Sequence, residues 1–138
     1  MYERCIENFS HADITIMAAA VADFAPGKPA TEKIKKVAEN LVLNLNRTKD
    51  ILAELGKRKK LSQILVGFAL ETQNAEEFAK NKLEAKNLDF IVLNTLQDTG
   101  AGFGSETNKV SILSKNNITH FTLKSKSEVA TDIFDAIL

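Results

Sequence analysis

Lys82 and Lys86 lie four residues apart in a stretch, 75–86, whose apolar residues recur with helical spacing. On a helical wheel Ala75, Phe78, Ala79, Leu83 and Ala85 form one face. Both lysines fall near the centre of that face, while Glu76, Glu77, Lys80, Asn81 and Glu84 lie opposite. A solvated helix would carry its lysines on the polar side. An unpaired ammonium on a core face is costly, so an anion should meet these two. The alternative is that both snorkel past the end of a short core. Two lysines one turn apart need that excuse twice, which favours the anion.

Lys33, Lys35 and Lys36 add positive charge near the start of the chain. Alone, such a run is a solvated strand. Together with Lys82 and Lys86 it suggests a polyanion such as a nucleoside triphosphate, which lysine binds as a point charge. Famous phosphate signals are absent: there is no GxxxxGK[ST], and the glycines at 100–104 break the GxGxxG spacing and open no helix. His11 and His120 are too few for a zinc site or a triad, so no protein-held metal is expected.

The elements that must position these lysines follow from patterning. Residues 1–9 read as the end of a helix, and 13–22 as a buried, parallel-type strand ending in small residues. A loop at 24–31 precedes two strands, 33–37 and 41–46, paired as a hairpin around Ala38-Glu39-Asn40. Thr48 is placed to cap a helix running to about Leu55 and stopped at Gly56. Buried strands at 63–69 and 88–94 flank the helix at 75–86. Strands at 108–114 and 118–123 form an antiparallel pair, and a closing helix at 127–138 should bury Val129, Ile133, Phe134 and Ile137. Alternating strands and helices predict an α/β fold: a Rossmann-like open, mostly parallel sheet with helices on both faces and an antiparallel pair near the C-terminus.

Such sheets bind ligands at the carboxyl ends of their strands. Those ends are Met17, Ala18 and Ala19 running to Asp23, then Gly67-Phe68, then Asn94. Small alanines let a flat ring approach the backbone. Asp23 is suited to ribose hydroxyls or a base amino group, or equally to making a turn; position alone leaves both open.

Composition sets the outer bounds. The chain has 138 residues, 44% hydrophobic and 26% charged, the size of one ordinary domain. Its net charge is zero, which argues against nucleic acid or an anionic membrane as partner. No apolar run reaches membrane-spanning length. The single cysteine, Cys5, forms no internal disulfide and fits a reducing, cytoplasmic setting.

The stretches AAAVADF (18–24), EKIKK (32–36), TKDIL (48–52), GFALET (67–72), KLEAKNLDFIVLN (82–94) and GFGSETNKV (102–110) carry a resemblance. In this order and spacing the chain resembles the C-terminal portion of bacterial-type phosphopantothenoylcysteine synthetases. The resemblance implies a CTP-dependent ligase of coenzyme A biosynthesis, joining 4′-phosphopantothenate to cysteine through an acyl-cytidylate. It places Met17, Ala18, Ala19 and Asp23 around the cytidine, and Lys33 beside the reacting phosphate as the catalytic lysine. Lys49, Asp50, Ile51, Leu52 and Phe68 would border the nucleotide, and Lys82 and Lys86 would bind it. Lys49 departs from the family, which commonly has proline there. The resemblance also implies a homodimer, Mg²⁺ carried on CTP rather than in a protein cage, and FMN only where a decarboxylase domain is fused upstream. The family begins with a Gly-rich segment bearing an asparagine, and nothing before Tyr2 matches it. The expectation is therefore that 1–138 is the nucleotide-binding part of the synthetase domain, with turnover by this part alone left open. The rival reading is a non-catalytic Rossmann-like module for nucleotide binding or dimerisation, with the pair at 108–123 as an interface.

Overall fold

The structure, a computed structural model, describes residues 1–34, 41–95 and 104–138. In chain order its elements are α1 (Tyr2–Phe9), β1 (Ile14–Met17), β2 (Phe24–Pro26), β3 (Leu45–Arg47), α2 (Ile51–Arg58), β4 (Ile64–Glu71) and α3 (Ala75–Ala85). There follow β5 (Phe90–Thr95), β6 (Thr107–Asn108), β7 (Val110–Ser114), β8 (Ile118–His120), β9 (Lys124–Ser125) and α4 (Lys126–Ile137). The chain divides into two compact units, one of residues 1–18 and 51–138, the other of residues 19–50.

The larger unit is built on a five-stranded sheet of order β1-β4-β5-β7-β8. β1, β4 and β5 run parallel, whereas β7 pairs antiparallel with β5 and with β8. The expected mixed α/β sheet is thus present, including the antiparallel pair. Strand alternation divides the core between two faces. On one, Leu65, Ala69, Ile91, Leu93 and Leu113 pack with Phe9 of α1, Ile51, Leu52 and Leu55 of α2, and Ala79 and Leu83 of α3. On the other, Val66, Val92, Val110 and Ile112 pack with Val129, Ile133 and Ile137 of α4. Burial on both faces explains why β4 and β5 read as continuous apolar runs.

Local chemistry fixes the helix ends. Ser125 and Glu128 close a capping box at the start of α4: Glu128 N–H donates to Ser125 Oγ (3.2 Å), and Ser125 N–H donates to Glu128 Oε2 (2.9 Å). Buried Gln63 joins the loop after α1 to β4, its Nε2 donating to the carbonyls of Phe9 and Ala12, both at 2.7 Å.

Several expectations need correction. The first strand ends at Met17, so residues 18–22 are not strand. Gly56 does not stop α2, which runs on to Arg58 with Gly56 buried inside it. Phe134, expected in the core, is 50% exposed on α4, and Phe78 is 53% exposed on α3. Ala85 is exposed too, so the buried face of α3 is narrower than the wheel implied and centres on Ala79 and Leu83.

The smaller unit holds an antiparallel ribbon in which Phe24 pairs with Arg47, Ala25 with Asn46 and Pro26 with Leu45. Residues 24–26 therefore form a strand rather than a loop, and Leu45 pairs with Pro26. Residues 33–34 and 41–44, expected in the strands 33–37 and 41–46, are not strand, while 35–37 and the turn at 38–40 lie outside the described residues. Pro26 is tolerated because, among the described residues, β3 is the one strand that pairs with β2, which leaves Pro26 on an edge. Thr48 closes the ribbon instead of capping α2: its hydroxyl donates to the Ala22 carbonyl (2.7 Å) and its N–H to the Asp23 carbonyl (2.8 Å). Every other described residue of this unit is exposed.

Candidate functional site

The last rung between β1 and β4 joins Met17 to Gly67, yet β4 runs on to Glu71 beside β5. Phe68 is therefore the first residue of β4 beyond the β1 ladder, at the carboxyl end where open sheets bind ligands. Lys82 of α3 reaches this point. Its Nζ donates to the Phe68 carbonyl oxygen at 2.9 Å. A helical side chain leans back toward the helix N-terminus, and α3 starts from the carboxyl end of β4, so Lys82 leans the required way. It is half-buried, as the wheel implied, and a backbone carbonyl meets part of its charge.

Gly67 makes room on the same side. A Cβ there would lie 2.8 Å from both Leu52 Cδ2 and Leu88 Cδ1, so any larger residue would make the ends of both leucines move off β4. Ile51 and Leu52 themselves are buried in the core. What they can offer a ligand is their own backbone N–H groups at the start of α2. The half-buried Met17 packs against the same cluster, Ala18 is exposed, and the half-buried Phe68 ring packs against the α4-side cluster.

Lys86 follows the last residue of α3 and is half-buried, its N–H donating to the Lys82 carbonyl at 3.1 Å. Neighbouring Asn87 adopts the left-handed conformation with φ 51°. Its Nδ2 donates to the Gly56 carbonyl at 2.9 Å. The candidate residues of the larger unit are thus Met17, Ala18, Ile51, Leu52, Phe68, Lys82 and Lys86. Among these the structure joins Lys82 to Phe68.

Ala19, Asp23, Lys33, Lys49 and Asp50 belong to the smaller unit, and all five are exposed. Asp23 is fixed by its carbonyl, which accepts from Thr48, and its carboxylate stands at the surface. Lys35 and Lys36 lie outside the described residues.

Sequence reasoning missed two features of the larger unit. Gly56 was read as a helix stop, and Asn87 attracted no notice, although Asn is a common left-handed residue after a helix. Asn94, at the end of β5, accepts from Asn108 Nδ2 at 3.3 Å, which secures one polar group of that strand end. His120 sits exposed with Nδ1 2.8 Å from Ser111 Oγ and Nε2 3.8 Å from Glu76 Oε1. Among the described residues no three His, Cys, Asp or Glu side chains gather in a way that could hold a metal ion.

Known proteins share both the sequence and the fold. The DNA/pantothenate metabolism flavoprotein C-terminal domain matches residues 1–138. A cysteine/cysteine sulfinic acid decarboxylase from an unknown prokaryotic organism is 55% identical over 139 residues, covering 100% of this chain and 39% of that protein. The coenzyme A biosynthesis bifunctional protein CoaBC of Bacillus subtilis (strain 168) is 46% identical over 138 residues, covering 99% of this chain and 34% of its own length. The crystal structure of a C-terminal domain of CoaBC superposes with a TM-score of 0.77 at 36% identity, covering 99% of this chain and 58% of that one. The chain thus spans well under half the length of these curated relatives. A match along its whole length, joined to the shared sheet, makes this chain a member of the DNA/pantothenate metabolism flavoprotein C-terminal domain family.

Proposed function

We propose that residues 1–138 are the nucleotide-binding part of a phosphopantothenate–cysteine ligase that uses CTP. The observation that carries this reading is Lys82, a half-buried lysine held at the carboxyl end of β4 with Lys86 one turn behind it. The 46% identical CoaBC supplies the pathway, coenzyme A biosynthesis. In the first step the phosphopantothenate carboxylate attacks the α-phosphate of CTP, giving an acyl-cytidylate and releasing pyrophosphate. The cysteine amine then attacks the acyl carbon, forming the amide and releasing CMP.

The protein's contribution is positioning and charge neutralisation. Lys82 and Lys86 hold the nucleotide, and Lys33 stabilises charge at the reacting phosphate. Met17, Ala18, Ala19 and Asp23 surround the cytidine. Lys49, Asp50, Ile51, Leu52 and Phe68 border the nucleotide, Ile51 and Leu52 through their backbone. Mg²⁺ arrives bound to the triphosphate. The working enzyme in this reading is a cytoplasmic homodimer; no described helix is long and apolar enough to cross a membrane.

One observation favours a second reading. The 55% identical relative bears a decarboxylase name, so a domain of this sequence also accompanies an activity that makes no amide. There the domain would be a non-catalytic nucleotide-binding or dimerisation module. Assaying the parent protein for CTP-dependent amide formation from 4′-phosphopantothenate and cysteine separates the two. Product formation with pyrophosphate release supports the ligase; CTP binding without product supports the module. Calorimetric titration with CTP and with ATP, each with Mg²⁺, tests the base preference. CTP should bind more tightly, and equal or stronger ATP binding would overturn the CTP assignment.

A further inference from the structure

The geometry points to Gly56 and Asn87 as positioning residues that set Lys86 for its anion, an inference that rests on the nucleotide role proposed above for that lysine. Lys86 occupies the least secure place a binding lysine can have. It follows the last residue of α3 with φ −105° and ψ 9°, off the helical conformation, where helix ends ordinarily fray. Its N–H keeps the helical bond to the Lys82 carbonyl, and contacts from outside the helix add to that hold.

Two contacts from α2 do so. A Cβ built at Gly56 would run into the Lys86 carbonyl oxygen and come within 2.8 Å of its carbonyl carbon. The two backbones are therefore in direct contact, and no side chain larger than hydrogen fits between them. Asn87 completes the grip from the other side: its left-handed backbone, φ 51°, turns the side chain back so that Nδ2 donates to the Gly56 carbonyl at 2.9 Å. A glycine inside a helix costs about 1 kcal/mol relative to alanine, so its place in α2 needs a compensating gain. The close approach to Lys86 is that gain.

The grip sits on the element that also reaches the carboxyl end of the sheet. α2 begins at Ile51 and Leu52, with Leu52 seated on Gly67, one residue before the carbonyl that Lys82 holds. A single short helix thus fixes Lys86 relative to the strand end where Lys82 is anchored. The left-handed Asn87 also caps α3, its N–H donating to the Glu84 carbonyl at 3.1 Å and that of Leu88 to the Leu83 carbonyl at 2.9 Å, but that cap needs neither the Asn87 side-chain amide nor the backbone contact with Gly56.

The test is a double-mutant cycle read by calorimetric titration of this chain with CTP and Mg²⁺. Asn87→Gly keeps the left-handed backbone accessible while removing the amide donor. It should weaken CTP binding about three- to tenfold in the wild-type background and leave it unchanged in a Lys86→Met background. Gly56→Ala should follow the same pattern; if that variant fails to fold, Asn87→Gly decides. Equal weakening in both backgrounds would show that Asn87 acts on the fold generally, and the inference falls. Undiminished binding by Asn87→Gly, with Lys86→Met impaired, also overturns it while leaving the lysine's nucleotide role intact. If Lys86→Met itself binds CTP as well as the wild type, that role fails and the positioning inference fails with it.

Discussion

The ammonium nitrogen of Lys82 lies 2.9 Å from the carbonyl oxygen of Phe68, one residue past the last rung between β1 and β4. The lysine is therefore already engaged at the strand end. An incoming phosphate meets a cation whose stem is in place, so less rotamer freedom is lost on binding.

That contact predicts the behaviour of Lys82→Met. Methionine fills the stem volume but cannot donate, and the Phe68 carbonyl loses this donor. Thermal or urea unfolding without ligand should show a loss of about 0.5–1.5 kcal/mol. CTP binding should weaken by roughly tenfold, the value of one charge-assisted hydrogen bond. A variant as stable as wild type and with undiminished affinity would make Lys82 an ordinary surface lysine.

Lys33 should behave differently, because its proposed role belongs to the transition state. In the parent enzyme Lys33→Ala is expected to slow acyl-cytidylate formation more than it weakens CTP binding. Single-turnover kinetics separate the two. A raised KM for CTP with an unchanged kcat would reduce Lys33 to a binding residue.

At the other end of the strands, Lys59 Nζ lies 2.7 Å from Asp89 Oδ1, while Asp89 Oδ2 accepts from the Leu65 N–H at 2.8 Å. The Lys59 side chain is only 9% exposed, so losing its partner strands a charge out of water. Asp89→Asn should cost about 1–3 kcal/mol of stability, less than a fully buried pair because the carboxylate is partly solvated. Urea midpoints measure this. The CTP affinity of the folded protein should not change, since the pair lies at the opposite end of the strands from Phe68.

The cap of α4 gives a pH prediction. Hydrogen bonds from the Ser125 side chain and then its backbone N–H hold Glu128 below the ordinary carboxylate value of 4.5. A carboxyl group with a lowered folded pKa stabilises above its unfolded pKa and loses that contribution as pH falls through the folded one. The melting temperatures of wild type and Glu128→Gln should therefore differ by a constant amount at neutral pH. That difference should shrink only as pH drops below about 4.5. A difference independent of pH would mean that the charge is not what the cap uses.

Much of the larger unit was legible because its signals are local. Continuous apolar runs gave β4 and β5, helical spacing gave α3, and two runs near the C-terminus gave the antiparallel pair β7 and β8. The misplaced lysines announced themselves on the wheel, and Lys82 proved half-buried with a specific acceptor. What failed depended on distant partners. Phe24, Ala25 and Pro26 read as a loop because nothing local reveals that Leu45 pairs with Pro26. Gly56 looks like a stop signal until Lys86, thirty residues on, is seen against it. Phe78 and Phe134 were assigned to the core by type, yet α3 and α4 turn narrower faces to the sheet.

The register of β1 carries a consequence for how this sheet forms and opens. Ile14 pairs with Ile64, 50 positions along the chain, whereas Val66 pairs with Phe90 only 24 positions on. Doubling a closed loop adds only about 0.6 kcal/mol of entropy, too little to make β1 weak at equilibrium. Its exposure to opening comes instead from being a four-residue strand that has, among the described residues, a single neighbour, while β4 and β5 are flanked on both sides. The β4–α3–β5 crossover can assemble first from nearby chain, with β1 zipping onto it late. Amide protons of residues 14–17 should accordingly exchange through a local opening, well before those of β5, which wait for global unfolding. Because Met17 and Phe68 mark the end of that same seam, a strand open to local exchange borders the proposed nucleotide site. Bound CTP should slow its exchange more than that of any strand beyond β5.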